Sequence, residues 1–470
     1  MPPFRSYVND FDTDKNGILD ANEIAAVKEI NVVGKQIKSL KGVENFTRLI
    51  TLYCQDNEIT ELDLTALTDL VNLNCGSNNS VNGGGNYIKE LDLSQNINLK
   101  QLLCDENELT ELDLSNNTSL ISISCDKNMI SELDLSRNAL LQNLSISDNN
   151  LKSLDVSANK DLKTLYCSNN DLLDSVIIGE NDNLTFLACH SCNLSEIDLS
   201  QVPNLTYLYC QQNNFESFDI SHNTKLTNLT CSINSLKSLN LDNNVELVSL
   251  ECSFNNLTSV DVSNNTKLEI LNCGYNELKS LDVSSNLKLR QLNCSANHIT
   301  SLDLSKNTEL DTESFYSHEN VYDIGQCSSF DLKELQKYGF DISKVTDVVN
   351  AKLNDGILSD FTPGALGEDD TKIIYHYDCG LEEPVIFWLE YTYLPTETTT
   401  PSDEITTTPD ELTTTPGETD PGTETADQPT SVTDKDDDSD KNKPTGVALT
   451  VIPVLMAAAA VSIAASRKRK

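Results

Sequence analysis

A repeat of about 21 residues constrains the fold of this chain more than any other feature of its sequence. The stretch LNCSANHITSLDLS, residues 292–305, is one copy, and the aligned copies share the consensus LxxLxCxxNxLxxLDLSxNxx. The spacing of the consensus cysteines is 21 residues, except for 22 between Cys167 and Cys189 and 29 between Cys75 and Cys104. Such a period predicts a solenoid, because a single coil cannot bury its own apolar side and must share a core with its neighbours. The cysteine column, in which Ile146 fills one gap, consists of Cys54, Cys75, Cys104, Cys125, Cys167, Cys189, Cys210, Cys231, Cys252, Cys273 and Cys294.

The pattern inside each repeat predicts which side of the strand each residue faces. Leu-x-Leu-x-Cys alternates as a β-strand does, so leucine and cysteine point to one side and the intervening residues to the other. The Leu-Asp-Leu run is expected to line the opposite wall of the same core. The asparagine three residues after each cysteine is predicted to satisfy backbone groups at a bend. This asparagine column, with Cys192 at the remaining position, is Asn57, Asn78, Asn107, Asn128, Asn149, Asn170, Asn213, Asn234, Asn255, Asn276 and Asn297.

This consensus resembles the leucine-rich repeats of bacterial proteins, in the short subclass with a cysteine in the strand and LDLxxN in the second half. The resemblance covers residues 27–315. It implies a leucine-rich-repeat solenoid of β-dominated coils with a parallel sheet along one face.

The cysteines are interpreted as reduced core thiols. Neighbouring strands lie about 4.8 Å apart, yet the Cβ vectors of one column run parallel, whereas a disulfide needs a dihedral angle near 90°. Free cysteine packs like a small apolar residue. A reduced ladder fits a cytosol or an anaerobic surface better than an oxidising compartment. Cys327 and Cys379 lie outside the column and are either free or paired with each other.

The stretch DTDKNGILDANE, residues 12–23, matches the calcium-loop pattern D-x-[DN]-x-[DN]-G-x5-E. It resembles one EF-hand loop, or half of a dockerin. No second loop accompanies it, so residues 1–26 are predicted to form a calcium-locked N-terminal cap; the alternative is an acidic turn without metal. The resemblance implies Ca²⁺ ligands from the side chains of Asp12, Asp14 and Asn16, the Ile18 carbonyl, Asp20 through water, and a bidentate Glu23.

The aspartate of the LDLS element recurs in ten repeats, and two roles are considered for this column. A second calcium array is one; the other is that each carboxylate accepts hydrogen bonds from nearby serine and backbone N–H groups. The second is favoured, because no glycine-rich, ligand-presenting turn accompanies the column.

The outward positions of the predicted strands carry an aromatic cluster in the middle of the solenoid. Tyrosine and phenylalanine among small polar residues are typical of a protein-binding surface, although aromatic residues also favour strands in general. The insert SVNGGGNY, residues 80–87, is expected to bulge from one coil and add to the rim. The predicted partner-binding residues are Tyr166, Phe186, His190, Tyr207, Tyr209 and Gln211.

Three further segments follow the repeats. Residues 316–395 contain short strand-like runs and predict a small β-rich C-terminal domain or cap, with Trp388 among its core aromatics. Residues 396–443 are rich in threonine, proline and acids and predict a disordered stalk. Residues 444–470 hold an apolar run and a basic tail, which predict a transmembrane helix with the basic end in the cytoplasm.

The C-terminus also resembles the sorting signal of Gram-positive wall proteins, which implies cleavage between Thr445 and Gly446; a retained membrane anchor is the alternative. The opening MPPFRSYVND has no apolar export segment, so either the start was assigned downstream of the true one or the protein is tail-anchored.

The formal charge of −40 argues against nucleic acid as a partner. No spacing typical of a catalytic triad, a phosphate loop or a zinc hydrolase occurs. The sequence therefore predicts a monomeric, surface-anchored protein that binds a protein or glycan partner and is not an enzyme. Two alternatives stay open: a hydrolase with a site in residues 316–395, for instance Cys379 with His376, and an intracellular tail-anchored scaffold.

Overall fold

The computed structural model describes residues 3–77, 86–362 and 371–392. Stacked coils each contribute one short strand to a 14-stranded sheet. The described strands of this sheet pair in parallel, and the central residues of neighbouring strands lie side by side, as Leu208 and Leu229 do. The predicted leucine-rich-repeat solenoid is confirmed. Its strands are β1 (Glu29–Asn31), β2 (Thr51–Tyr53), β3 (Asn72–Asn74), β4 (Gln101–Leu103), β5 (Ser122–Ser124), β6 (Asn143–Ser145), β8 (Thr164–Tyr166), β10 (Phe186–Ala188), β11 (Tyr207–Tyr209), β12 (Asn228–Thr230), β13 (Ser249–Glu251), β14 (Ile270–Asn272), β15 (Gln291–Asn293) and β16 (Phe315–Tyr316).

Two more strands, β7 (Ser153–Asp155) and β9 (Ser175–Ile177), pair in parallel as a separate sheet in the second half of their coils. The middle residue of each three-residue strand of the solenoid and the whole cysteine column are buried. All fourteen cysteines of the chain are free thiols, which agrees with the reduced column that was predicted; of the two alternatives for Cys327 and Cys379, the structure has them unpaired. Burial raises the pKa of the column thiols, to about 12 for Cys75 and Cys210. These sulfurs are inert packing groups.

The predicted asparagine column ties consecutive coils together. Asn128 Nδ2 donates to the carbonyls of Cys104 and Cys125 at 3.1 Å each, and its Oδ1 accepts from the N–H of Leu109 at 3.0 Å. Asn78 lies outside the described residues. Its place in the column is taken by Asn86, whose Nδ2 donates to the carbonyls of Cys54 and Cys75 at 3.0 and 2.8 Å.

A second asparagine column, at the end of LDLSxN, holds the opposite wall. Asn117 is fully buried, and its Nδ2 donates to the carbonyls of Leu93 and Asn96 at 3.0 Å each. The consensus contained this asparagine, but its spacing alone did not indicate the role. The described members are Asn96, Asn117, Asn138, Asn159, Asn181, Asn223, Asn244, Asn265, Asn286 and Asn307.

The aspartate column behaves as the local interpretation predicted. Asp113 Oδ1 accepts from the N–H of Ser115 at 2.9 Å, and this bond, with the Ser115 hydroxyl, lowers the pKa of the carboxyl. The side chains stay exposed and organise a turn in each coil. The same bond, to the residue two positions later, is made by Asp63, Asp92, Asp113, Asp134, Asp155, Asp198, Asp219, Asp261, Asp282 and Asp303.

The N-terminal segment packs against the first coils. It contains helices α1 (Pro3–Val8) and α2 (Ala21–Ala26), with a 3₁₀ helix, Asn9–Phe11, after α1. Phe4 is buried, the Tyr7 hydroxyl accepts from the N–H of Asn31 at 3.0 Å, and the Phe11 ring lies 5.9 Å from that of Phe46. These contacts cover apolar surface at the open end of the solenoid core.

At the other end, the ladder continues for one rung beyond the recognisable repeats. β16 pairs with β15, and Asn320 Nδ2 donates to the carbonyls of Ser317 and Cys294 at 2.6 and 3.2 Å. FYSHEN, residues 315–320, is therefore a degenerate rung with Ser317 at the cysteine position and Asn320 at the asparagine position.

A small β-rich region follows this last rung. β17 (Val321–Gln326), β23 (Val385–Thr392), β22 (Lys372–Tyr377) and β19 (Val345–Val349) form one sheet in that order. β18 (Ser329–Asp331), β21 (Ile357–Ser359) and β20 (Lys352–Asn354) form a second, antiparallel sheet. The remaining described 3₁₀ helices are Val43–Asn45, Thr312–Ser314, Leu332–Tyr338 and Ile342–Lys344.

This region packs directly on the last coil. The Tyr375 hydroxyl donates to the Thr300 carbonyl at 2.5 Å, and the Leu304 N–H donates to the Cys379 carbonyl at 2.8 Å. The core of β23 is built from Val385, Phe387, Leu389 and Tyr391.

The prediction that Trp388 belongs to this core is wrong. Trp388 alternates with the buried residues of β23 and so falls on the other side of the strand, only partly buried. There the Lys372 ammonium lies 4.7 Å from its ring centroid.

Candidate binding face and N-terminal loop

The outward side of the sheet carries a compact group of four aromatic rings, the central aromatic cluster, formed by Tyr166, Phe186, Tyr207 and Tyr209. Because the middle residue of each strand points into the core, the residues on either side of it point outward. The ring centroid of Phe186 lies 4.6 Å from Tyr166, 5.9 Å from Tyr207 and 5.5 Å from Tyr209. Strand pairing therefore joins aromatic residues from three consecutive rungs around one phenylalanine.

The four rings differ in accessibility. Phe186 is 9% exposed and forms the floor of the cluster, whereas Tyr207 is 39% exposed and stands above it. Tyr166 and Tyr209 are half-buried, and burial raises the pKa of both phenols. Contacts between the rings hold them in place before any partner arrives, and each such pair contributes about 0.5–1.5 kcal/mol beyond its buried area.

His190 and Gln211 occupy adjacent rungs beside the cluster, linked through the backbone by the Ser191 N–H, which donates to the Gln211 carbonyl at 2.9 Å. Burial lowers the pKa of His190, so the ring is neutral at pH 7. Its Nδ1 lies 3.2 Å from the Ser191 hydroxyl. Among the described residues, none forms a hydrogen bond with Gln211 Oε1. The six predicted binding residues thus share one face: four form the ring cluster and two flank it.

Two carboxylates lie on the same face, N-terminal to the cluster. Asp105 Oδ1 accepts from the Asp126 N–H at 2.9 Å, and Asp126 Oδ1 accepts from the Ser147 N–H at 2.6 Å. Burial, reinforced by the Asp105 carboxylate, raises the pKa of Asp126 to about 6, although the Ser145 hydroxyl stabilises the charged form. This part of the face is strongly acidic.

A second exposed apolar group was not predicted from the sequence. In most rungs the residue two positions after the column cysteine has a positive φ. In three consecutive rungs this residue is large and apolar: Ile233, Phe254 and Tyr275, with φ of 56°, 54° and 57°. We call these three the apolar ladder. They are 48%, 50% and 45% exposed, and the rings of Phe254 and Tyr275 stack with centroids 4.1 Å apart and planes 8° apart. In the aligned repeats the signal was visible as Ile, Phe and Tyr in a column that is otherwise mostly polar or charged.

In the N-terminal loop, three of the predicted calcium ligands come together. One carboxylate oxygen from each of Asp12, Asp14 and Glu23 lies within 4.8 Å of the other two. Glu23 is buried; its Oε1 accepts from the Thr13 N–H at 2.6 Å and its Oε2 from the Asp20 N–H at 3.0 Å. These bonds lower the pKa of Glu23. Gly17, with φ of 84°, allows the turn between the ligands.

The other predicted ligands make local contacts. Asn16 Oδ1 accepts from the Ile18 N–H at 2.8 Å, and the Ile18 side chain is 72% exposed. The Asp20 carboxylate accepts from the N–H groups of Asn22 and Glu23, which caps helix α2. An all-oxygen donor set built around three carboxylates is suited to Ca²⁺ rather than to zinc or copper.

The Cys379 and His376 pair does not form a nucleophilic site. Cys379 is buried, and burial raises the pKa of its thiol to about 12, so the thiolate form is absent at neutral pH. In β22 the buried residues are Ile373, Tyr375 and Tyr377. His376 lies on the opposite side of this strand, where its Nδ1 is 3.5 Å from Asp347 Oδ2.

The predicted stalk, the membrane anchor and the cleavage residues Thr445 and Gly446 lie outside the described residues. Within residues 3–77, 86–362 and 371–392, the helices are too short or too polar to cross a membrane.

Comparison with known proteins supports the fold. No protein-family model matches the chain, and no curated protein matches its sequence. The functional domain of InlJ from Listeria monocytogenes, which includes a cysteine ladder, is 25% identical with a TM-score of 0.56, covering 84% of this chain and 96% of that one. An internalin, InlF, from the same species is 20% identical with a TM-score of 0.56, covering 67% and 94%. YopM from Yersinia enterocolitica is 24% identical with a TM-score of 0.52, covering 63% and 59%.

Proposed function

We propose that this chain is a bacterial cell-surface protein that binds a protein partner with the outward face of its parallel sheet. The central aromatic cluster carries the proposal. Nothing in the coil architecture needs aromatic residues there, because neighbouring rungs place serine, threonine and asparagine at the same positions. A preformed group of tyrosines around a buried phenylalanine has the composition of a binding hot spot.

A protein partner fits the cluster better than a glycan. The rings of Tyr166, Tyr207 and Tyr209 are tilted by 34–37° from that of Phe186. They therefore form an uneven apolar surface rather than one flat platform for a sugar ring. Such a surface suits side chains of varied shape.

The test uses peptides of about twelve residues selected from a random displayed library on the whole folded chain. The Tyr207→Ala/Tyr209→Ala double variant should bind the selected peptides at least about tenfold more weakly, because each hot-spot ring contributes more than about 1 kcal/mol. The control is Asn228→Ala/Thr230→Ala, which changes the same two columns one rung later and should leave the affinity unchanged. Equal affinity of the double variant and the native chain would contradict the proposal.

The surface location is supported by the sequence of the C-terminal segments, in which a threonine- and proline-rich stretch is followed by an apolar run and a basic tail. Protease treatment of intact cells, followed by mass spectrometry, checks it: loss of solenoid peptides is expected. A terminal peptide ending at Thr445 would indicate wall attachment by cleavage, whereas an uncleaved C-terminus would indicate a membrane anchor. Complete protection of the solenoid would favour the intracellular scaffold.

We further propose that Ca²⁺ locks the N-terminal cap, held by Asp12, Asp14 and Glu23 and completed by Asn16, the Ile18 carbonyl and Asp20 through water. The carboxylate grouping supports this, because three like charges within 4.8 Å repel one another unless a cation neutralises them.

Thermal unfolding with Ca²⁺ alone and with a chelator tests the calcium cap. Calcium should raise the melting temperature of the native chain and not of Asp12→Asn/Asp14→Asn. The control, Asp10→Asn, removes an exposed carboxylate that lies outside the loop pattern and should keep the calcium response. An identical melting temperature with and without Ca²⁺ would rule out the cap.

A further inference from the structure

The apolar ladder occupies a backbone conformation that its residues disfavour. The left-handed region suits glycine, asparagine and aspartate, whereas a β-branched residue such as Ile233 is rare there and costs about 1–2 kcal/mol. Ile233, Phe254 and Tyr275 are nevertheless all large, apolar and about half exposed. Since stability favours other residues at these positions, the side chains point to a role in binding.

The ladder ends in a gap. Phe254 and Tyr275 show that planar groups in consecutive rungs of this column stack face to face, with centroids 4.1 Å apart. The next rung holds Ala296, which shares the backbone conformation of the column with φ of 51° but presents only a methyl group. The second face of the Tyr275 ring therefore has no side chain stacked on it from this column.

The far side of the gap is formed by Glu319. The Ala296 N–H donates to the His318 carbonyl at 2.8 Å, just as the Tyr275 N–H donates to the Ser295 carbonyl at 2.8 Å. This places Glu319 one rung beyond Ala296, and its φ of 60° matches the column. The side chain is exposed. Two rung spacings of about 4.8 Å separate Tyr275 from Glu319, which leaves a slot about one planar group thick.

We propose that this slot, with Tyr275 and Glu319 as its walls and Ala296 as its floor, binds an arginine side chain of a protein partner. A guanidinium group is planar and stacks on an aromatic face. It also forms charge-assisted hydrogen bonds with a carboxylate. Among the side chains that are charged at neutral pH, only arginine combines a flat face for Tyr275 with a positive charge for Glu319: lysine has no flat face, histidine is mostly neutral, and phenylalanine and tryptophan carry no charge.

Charge and neighbouring surface agree with this partner. The chain carries a formal net charge of −40, so a basic partner segment is attracted over long range. Ile233 and Phe254 extend from the slot as an exposed apolar strip, which suits a partner with apolar residues beside the arginine. The inference rests on the proposed function in that it assumes a protein partner, but it uses none of the residues of the central aromatic cluster.

The experiment observes the floor of the slot directly. The folded chain is labelled with ¹³C in its alanine methyl groups, and the Ala296 signal is assigned from its absence in Ala296→Gly. N-acetyl-arginine amide is then added, with N-acetyl-citrulline amide as the matched neutral probe and N-acetyl-lysine and N-acetyl-tryptophan amides as further probes. The arginine probe should shift the Ala296 methyl signal and saturate with a dissociation constant on the order of 1–10 mM, as expected for one weak cation–aromatic and ionic contact.

Variants decide whether the two walls act as proposed. Tyr275→Ala should abolish the shift, and Glu319→Gln should reduce the arginine response to that of citrulline, while both variants keep the remaining alanine signals of the folded chain. Tyr207→Ala/Tyr209→Ala should leave the Ala296 response unchanged, so failure of the central cluster and failure of the slot are separate results. An absent shift with arginine, an equal shift with citrulline, or a stronger one with tryptophan would overturn the proposal.

Discussion

The inward and outward sides of the parallel sheet differ in how strongly packing constrains their residues. On β11, Leu208 faces the core and is matched by a buried leucine in both neighbouring strands, whereas Tyr207 and Tyr209 face outward next to different residues on either side. The inward side is constrained at every rung because each coil packs on identical neighbours. The outward side is free of that constraint, so its aromatic residues are informative about binding.

The largest effect should come from changing the inward side. Leu208→Ala removes a fully buried side chain and leaves a cavity, and we expect a loss of about 2–5 kcal/mol in the free energy of unfolding. Tyr207→Ala, next to it and 39% exposed, should cost less, on the order of 1 kcal/mol, because it loses one ring contact and part of its buried area. Urea unfolding of both variants measures the difference. Similar losses would mean that the outward side also determines the fold.

The asparagine column gives the next largest effect. Asn276→Ala removes three Nδ2 bonds, to the carbonyls of Cys252, Cys273 and Gly274, and the bond that Oδ1 accepts from Leu257. Because the freed backbone groups stay buried, we expect a loss of about 2–3 kcal/mol. Asn256→Ala changes an exposed asparagine in the preceding repeat and should cost less than about 0.5 kcal/mol. A neutral Asn276→Ala would contradict a structural role for the column.

A carboxylate on the outward face should give a smaller effect that depends on pH. The pKa of Asp126 is about 6 in the folded chain, above its ordinary value of 3.8, so the folded state binds the proton more tightly than the unfolded state. Its charged form therefore destabilises the fold above pH 6, and this penalty disappears as the pH falls toward 4. Asp126→Asn should therefore raise the free energy of unfolding by on the order of 1 kcal/mol at pH 7–8 and have almost no effect near pH 4. Chemical unfolding at the two pH values measures this difference.

Asp113→Asn is the matched control for this pH dependence. Its hydrogen bonds lower the pKa of the carboxyl, so the charged form stabilises the fold above the unfolded pKa and this contribution is lost as the pH falls through the folded pKa. The substitution should therefore not stabilise the chain at pH 7. A gain from both variants would show that general charge repulsion, rather than burial of Asp126, is responsible.

The smallest effect is a gain in stability within the apolar ladder. Ile233→Asn places a residue that tolerates the left-handed conformation at a position where isoleucine is strained, and we expect about 0.5–1 kcal/mol of stabilisation in urea unfolding. Asn234, its neighbour, makes core hydrogen bonds, and Asn234→Ala should lower stability instead. A loss of stability in Ile233→Asn would mean that Ile233 contributes to folding, and would weaken its assignment to binding.

Several features were predictable from local pattern, and others were not. The consensus predicted the inward leucines and cysteines and the first asparagine column, because each of these depends only on the periodicity of the chain. It did not predict that Asn86, near the end of the insert, stands in the column, since several asparagines flank the glycines there. Nor did it reveal the rung at FYSHEN, where serine replaces the cysteine and the preceding leucine is Phe315.

The side of an isolated strand was the least predictable feature. In β23 both neighbours of Trp388 are apolar, so the alternation fits either assignment. Only tertiary packing, in which Phe387 contacts the Tyr375 ring of β22, places Phe387 and Leu389 inside. The N-terminal loop shows a similar division. Its motif identified the ligand candidates, while the fold decided that Asp12, Asp14 and Glu23 converge and that Asp20 is engaged in capping α2.

The sequence by itself determined the coil, its period and the residues that each coil buries, because these follow from a repeat in which every unit sees the same neighbours. The tertiary structure decided which outward residues meet. Stacking brings residues about 21 positions apart to within one rung spacing, and so it builds the central aromatic cluster, the Phe254–Tyr275 stack and the slot that ends at Glu319. Such contacts depend on the exact alignment of rungs, including an insert and a degenerate repeat, which no single repeat encodes.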